Sequence, residues 1–387
     1  MKIAYLYFGA ATAGVHKKLV DKVSSLDAFP GVDIQLFQVV TNEAAVSKNV
    51  IRAQSVLATR LVKWPFLWRL AVIVQQGKIY RAVERYIKNS SFDVVIMRYP
   101  GADFFLWNFL RSARIKIVFE HNTLELEELR LRAKDSYWYR YFYWGERIFG
   151  KWARRKAAGL IGVTEEITKR QALLSGKQVP VRAISNGIAL ARVPVREGNP
   201  YQPGQRLNIL FLAGSDAPWH GIDILLNSIE AYPHQNLVHC CIVGNVGAEL
   251  NSRISRMANV VYCPAVMGGA LDKIVAESHI GVGSLALFRN QMKEACTLKV
   301  REYWARALPF VIGHCDTDVM SCPEASTFCL ALKLDGNTAA FDFQQVVSFA
   351  GQLYSAPEWK TNMELSAKKH IDYEVKAVQY LDFLKAI

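Results

Sequence analysis

The chain has 387 residues, 51% hydrophobic and 21% charged, which excludes a disordered chain and supplies a core large enough for two domains more readily than one. Lys and Arg number 47 against 34 Asp and Glu, a net +13, and the excess lies in one half: residues 1–200 hold 32 basic and 16 acidic residues, residues 201–387 hold 15 and 18. A basic half of this kind favours a polyanion or an anionic membrane as partner.

The first half alternates short apolar runs with helical stretches. Strands are expected at Lys2–Gly9, Val32–Val40, Asp93–Tyr99, Ile115–His121, Gly159–Thr164 and Val181–Ser185. The second half repeats the plan at Leu207–Ala213, Val238–Gly244, Val260–Val266, Ile280–Leu285 and Leu308–Ile312. Continuous apolar strands separated by helices predict parallel, doubly wound sheets covered on both faces. The Pro- and Gly-rich segment ahead of Leu207 reads as a linker, giving a first domain at 1–194, a linker at 195–206, a second domain at 207–364 and a C-terminal helical tail at 365–387. The fold class is α/β, two Rossmann-like parallel-sheet domains facing each other across a cleft. Ligands of such sheets bind beyond the carboxyl ends of the strands.

The chain opens without a secretory signal. Its longest apolar run, Trp64–Val74, is interrupted by Arg69 and is too short to cross a bilayer. The seven cysteines are odd in number and contain no C-x-x-C, as expected of reduced thiols in a cytosolic protein. His, Cys and Asp residues form no metal-ligand spacing.

Several stretches carry candidate chemistry. After the first strand, Gly9 to Gly14 and then His16 read either as a tight turn or as a loop holding a phosphate or an acceptor. Lys78, Arg81, Arg85 and Lys88 fall on one helical face, and Tyr137–Trp144 is almost wholly aromatic, followed by Arg147, Lys151, Arg154 and Arg155. Such stripes are either a solvated face or a membrane interface. The chain holds no recognisable nucleic-acid module, which ranks that polyanion lower. His121 ends the fourth strand, where an imidazole is either structural or placed to meet a ligand. In EACTLKVREYWARALP, Glu294 and Glu302 frame a helix start at Thr297, Leu298 and Lys299, where unpaired backbone N–H groups favour an anion.

Glu294–Pro309 resembles the E-x7-E motif and its continuation in retaining glycosyltransferases of the two-domain GT-B fold, family 4, which build bacterial polysaccharides. FDVVIMRYP at 92–100, EHN at 120–122, GLIGVTEEI at 159–167, ISNGI at 184–188 and WHGID at 219–223 extend the resemblance over nearly the whole chain. It implies metal-independent transfer of a sugar from a nucleotide donor with retention, without a cofactor. By that resemblance Glu294 sits at the donor sugar and shares a catalytic role with His121, and Glu302 binds the ribose. Backbone groups at Thr297 and Leu298, with Lys299, Gly214, Ser215, His220 and Gly221, hold the diphosphate. The last helix crosses back to the first domain. Relatives often carry Arg and Lys where this chain has Ser215 and His220, so His220 either replaces the missing cation or leaves the site impaired.

The expected protein is a cytoplasmic enzyme on the inner face of the cell membrane. It extends a lipid-linked glycan for capsule, exopolysaccharide or lipopolysaccharide, with a nucleotide-sugar donor and no nucleic-acid partner. The competing readings are a silent scaffold or regulatory partner, and another GT-B enzyme such as a sugar-nucleotide epimerase.

Overall fold

The computed structural model describes residues 1–387 except 10–12, 42–46, 54–59, 61–66, 135, 136, 199 and 357. The chain divides into two compact units, Met1–Ile184 with Ala377–Ile387, and Ser185–Lys376. Part of the Gly9–Gly14 loop and the start of the Trp64–Val74 run lie outside the described residues.

The first unit holds a parallel sheet of seven strands among its described residues: β1 (Lys2–Phe8), β2 (Asp33–Val40), β3 (Asn49–Arg52), β4 (Val94–Arg98), β5 (Lys116–His121), β6 (Gly159–Gly162) and β7 (Val181–Ala183), in the order β3-β2-β1-β4-β5-β6-β7. Helices α1 (Ala13–Asp27), α2 (Trp68–Lys88), α3 (Phe104–Ser112), α4 (Glu125–Arg132), α5 (Tyr137–Lys156) and α6 (Glu165–Ser175) connect the strands. Successive side chains of a strand face opposite ways. Ile3, Tyr5 and Tyr7 therefore enter one apolar core and Ala4 and Leu6 another, which is why β1 reads as an unbroken apolar run. Side-chain caps set two helix starts: Asp103 Oδ1 accepts from Leu106 N at 2.8 Å, and Thr164 Oγ1 from Ile167 N at 3.1 Å.

The second unit holds a parallel sheet of six described strands: β8 (Leu207–Ala213), β9 (Val238–Gly244), β10 (Val260–Cys263), β11 (Ile280–Val282), β12 (Phe310–Ile312) and β13 (Cys329–Ala331), in the order β10-β9-β8-β11-β12-β13. Its helices are α7 (Ile222–Ala231), α8 (Ala248–Ile254), α9 (Gly269–Glu277), α10 (Leu298–Ala305), α11 (Thr317–Met320), α12 (Gln344–Ser355), α13 (Trp359–His370) and the start of α14 (Tyr373–Ala386). The strand order reverses between β8 and β11, the crevice where a doubly wound sheet receives ligands. Tyr303 locks that reversal: its ring packs where a Cβ on Gly281 would sit, and its hydroxyl takes a 2.9 Å bond from Leu212 N and gives one of 3.1 Å to Val282 O.

Three expectations need correction. Strands β3 and β13 add to the expected set, β3 from the short stretch NVIR and β13 from the apolar run at 328–332, and both complete a sheet edge. The change of unit comes at Ile184–Ser185, ahead of the expected linker at 195–206. That segment packs within the second unit, where Arg196 N donates to Arg306 O at 2.8 Å and Tyr201 is buried in the core, and Pro203 and Gly204 form a turn. The tail at 365–387 is also two helices, because Ile188 pairs with the backbone at Ile371–Tyr373 and takes that stretch out of helical bonding.

Ala377–Ile387, the later part of α14, belongs to the first unit, where Ala377, Tyr380, Leu381, Phe383 and Leu384 enter the core. Tyr380 Oη donates to Glu120 Oε2 at 2.7 Å and accepts from Lys22 Nζ at 2.8 Å, and Lys22 also bonds Glu120 Oε2 at 2.5 Å. Burial alone would raise the Glu120 carboxyl, but Lys22 and Lys18 beside it and the bonds from Lys22 and Tyr380 hold it well below the usual carboxylate range. Removing the phenol leaves two buried charged groups one bond short. Tyr380→Phe should therefore lower the urea unfolding free energy by about 1.5–3 kcal/mol. The triad's contribution is full above the ordinary carboxylate range and is lost as pH falls below it. An unchanged unfolding midpoint at neutral pH would show that the triad adds no stability.

Candidate active site

The loops after β8, β11 and β12 gather at the carboxyl end of the second sheet. Gly214 and Ser215 leave β8 exposed, and a short turn at Pro218–His220 leads to Gly221. Gly221 has φ +71°, and an added Cβ would lie 2.9 Å from Ala286 N, so glycine alone lets this turn close on the β11 loop. The closure is backbone-bonded: Leu285 N donates to His220 O at 3.0 Å and Ala286 N to Trp219 O at 3.2 Å. The His220 imidazole lies between two hydroxyls, with Nδ1 3.3 Å from Ser284 Oγ and Nε2 3.4 Å from Ser215 Oγ. Burial and then the nearby Lys299 charge push the His220 imidazole well below its ordinary range. At neutral pH it is uncharged, so His220 replaces a cation only as a hydrogen-bonding group.

Lys299 is a buried cation at this end of the sheet. It occupies the first turn of α10, is buried, and its Nζ has no hydrogen-bond partner. The ammonium stands 3.9 Å from the Phe211 ring centroid, a contact that stabilises a cation weakly compared with the water it has lost. Burial lowers its pKa to about 7. Two further orphans accompany it: Thr297 Oγ1, at the helix start with no side-chain cap bond, and His314 Nε2. His314 Nδ1 donates to Ser284 O at 3.0 Å, which fixes the tautomer and leaves Nε2 as an acceptor. An uncapped helix start beside an unpaired ammonium suits a bound anion, and a free imidazole nitrogen suits a ligand hydroxyl.

Glu294 is half-buried, in a one-residue bridge to Cys315: Ala295 N donates to Cys315 O at 3.0 Å and Cys315 N to Lys293 O at 2.9 Å. The bridge holds its segment against the loop after β12. Below it Arg301 is fully buried and bonds Asp316 through both terminal nitrogens at 2.9 Å, Asp318 at 2.7 Å and Asn186 O at 2.7 Å. Asn186 Nδ2 in turn donates to Cys296 O at 2.6 Å. Glu302, the next residue of α10, accepts from Arg306 Nε at 3.2 Å, and Arg306 also bonds Asp272 at 2.5 Å. Cys296, Asp316 and Asp318 bring potential metal ligands within 4.8 Å of one another, but Arg301 and Lys376 already neutralise those carboxylates, so the group does not fit a cation.

The structure thus collects Gly214, Ser215, His220, Gly221, Glu294, Thr297, Leu298 and Lys299 in one unit around neighbouring strand ends. Ser284, His314 and Phe211 join them unannounced. A strand ending in Gly followed by a polar residue, Gly283-Ser284 or Gly313-His314, was the available signal. Gly14, His16 and His121 belong to the first unit. His16 Nδ1 lies 3.3 Å from Tyr7 Oη. His121 is fully buried: its Nδ1 lies 3.0 Å from Glu125 Oε1, Glu125 continues to Gln171 and Arg154 in a buried polar chain, and His121 Nε2 has no hydrogen-bond partner.

Neither a family model nor a curated protein matches the sequence. Solved structures do match in fold. The sucrose-phosphate synthase of Thermosynechococcus elongatus is similar over 100% of this chain and 98% of its own, with TM-score 0.68 and 14% identity. This is the GT-B fold. Anabaena HepE in complex with UDP and glucose gives TM-score 0.67 and 14% identity over 100% of both chains. The lipopolysaccharide outer core galactosyltransferase WaaB gives 0.63 and 11%, over 100% of this chain and 99% of its own.

Lys299 contributes a second pH dependence of stability. Its folded pKa is below that of an unfolded lysine, so the folded state holds fewer protons between about pH 7 and 10. The burial penalty is fully present below pH 7 and fades as pH rises through that window. Lys299→Met should raise the unfolding free energy at pH 6 by on the order of 2 kcal/mol, with a smaller gain near pH 10. A loss of stability at pH 6 in urea unfolding would show that the ammonium is satisfied.

Proposed function

We propose that the chain is a glycosyltransferase moving a sugar from a nucleotide-sugar donor to a hydroxyl acceptor, with retention and without a metal. The observation that carries the reading is Lys299, an unpartnered buried ammonium beside the uncapped start of α10 at the sheet's reversal point. Support comes from the GT-B fold and from HepE, which was solved with UDP-glucose. The α10 N–H groups and Lys299 receive the diphosphate, with Ser215, His220 and the Gly214 and Gly221 turns shaping its pocket. Glu294 faces the developing charge on the sugar. Glu302 meets the ribose by exchanging its bond with Arg306. The acceptor oxygen bonds the anomeric carbon as the carbon–oxygen bond to the diphosphate breaks. The electron pair leaves with the nucleoside diphosphate, and the acceptor proton passes to a departing phosphate oxygen. Charge grows on the diphosphate during this step, so fixed donors there stabilise the transition state more than the ground state. A lipid-linked glycan is the proposed acceptor, in capsule, exopolysaccharide or lipopolysaccharide synthesis.

A second reading, a silent relative that scaffolds such synthesis, is favoured by one observation: Ser215 and the uncharged His220 supply no cation. Titration with UDP separates the two. The enzyme reading expects binding that weakens as pH rises past about 7, where Lys299 loses its proton. Absence of binding to UDP, GDP, ADP and CDP would establish the silent reading. Glu294→Gln should keep nucleotide binding and reduce turnover of the matching nucleotide sugar by about 100-fold or more. Wild-type turnover in that variant would remove Glu294 from the mechanism.

A further inference from the structure

One face of α5 is left uncovered by the first unit. Trp144, Ile148 and Trp152, four residues apart, are 52%, 58% and 53% exposed. Arg147 and Lys151 are exposed beside them on the same helical face. Arg147 stands 5.0 Å from the Trp144 ring centroid and Arg155 5.3 Å from that of Trp152, so the cations lie over the indoles. The apolar row continues into a groove of about 570 Å³ lined by Ile73 of α2, Phe104 of α3, and Tyr141, Trp144, Ile148 and Phe149 of α5. Leu70, Ile73 and Phe104 are themselves exposed at 48%, 44% and 48%.

The charge around this surface identifies its occupant. α3 carries no carboxylate, and the one on α5, Glu146, is buried against Arg154 at 2.5 Å. The one on α2, Glu84, bonds Lys88 at 2.9 Å. Asp103 on the groove floor is buried as the cap of α3. Lys78, Arg81 and Arg85 add exposed cations on α2. A surface that offers aliphatic side chains and indoles together with exposed cations fits a partner both apolar and anionic. Nucleic acid has the charge without hydrocarbon for Ile73 and Ile148. An anionic bilayer supplies both, with the rings at headgroup depth, the cations on phosphates and the groove open to an acyl chain.

We infer that the α5 face and its groove form a docking surface for an anionic phospholipid bilayer. It deepens the proposed function by naming the surface on which a lipid-linked acceptor is met, and for that acceptor it rests on that reading. Its test needs no nucleotide. Full-length protein is co-sedimented with phosphatidylcholine vesicles, with and without phosphatidylglycerol, while tryptophan emission is recorded. Binding should require phosphatidylglycerol, shift the emission to the blue and weaken with salt. Trp144→Ser with Trp152→Ser, and separately Arg147→Glu with Lys151→Glu, should each weaken partition by about tenfold or more. All four positions are at the surface, so unchanged thermal unfolding and unchanged UDP titration are expected in both variants, which separates failure here from failure of the nucleotide reading. The inference is overturned if wild-type protein stays in solution with anionic vesicles, if the variants partition equally, or if light scattering shows a dimer that buries this face and excludes vesicles.

Discussion

The second unit is organised around the Arg301 guanidinium. Fully buried, it joins α10 to Asp316 and Asp318 on the loop after β12 and to the Asn186 carbonyl just past the change of unit. Lys376 and Ser185 complete the cluster on Asp318 Oδ1 at 2.8 and 2.9 Å. A buried ion cluster is an uncertain source of net stability, since desolvation offsets much of its attraction, but leaving one partner out strands a buried charge. Its value here is geometric. Three chain segments, at 186, 301 and 316–318, meet at one planar group, and they hold the start of α10 against the loop after β12.

That fixed helix start is where satisfaction of polar groups ends. Arg301 has its partners; two positions earlier Lys299 has none, nor does the Thr297 hydroxyl. The same short helix thus pairs a fully compensated cation with an uncompensated one, and the first holds the second in place. Buried unsatisfied groups are rare in folded proteins because each costs free energy. Their clustering at the β8–β11 reversal, with the bonded frame of Tyr303 and Gly221 around them, is what a preorganised anion pocket requires.

The first unit divides its charges differently. Lys18 and Lys22 are buried against Glu120 and Asn122 beneath the returning end of α14, whereas the cations of α2 and α5 stand outside with few carboxylates near them. The basic bias of the first 200 residues therefore has two physical origins, an internal latch and an external face. Among the described residues, no helix is long and apolar enough to cross a membrane.

Much was legible in the amino-acid order. Apolar runs of strand length separated by helices dictate parallel sheets covered on both faces, because only burial on both sides tolerates such strands, and the long strands lie where those runs are. Glu294, Lys299 and the WHG turn were likewise readable, since each sits at a strand end or helix start that the pattern locates. Edge strands as short as β3 and β13 carry no period, and the break at Ile371–Tyr373 depends on Ile188, far away in sequence. His121 shows the limit most plainly: its place at the end of β5 follows from the sequence, but its burial against Glu125 depends on how α4 packs. Composition likewise counts the lysines without separating them. Lys22, paired in the core, Lys299, buried without a partner, and Lys151, open to solvent, are one residue type in the sequence. Only tertiary packing, by deciding which of them loses its water and which gains a carboxylate, makes one a latch, one a buried ammonium without a partner and one a surface charge.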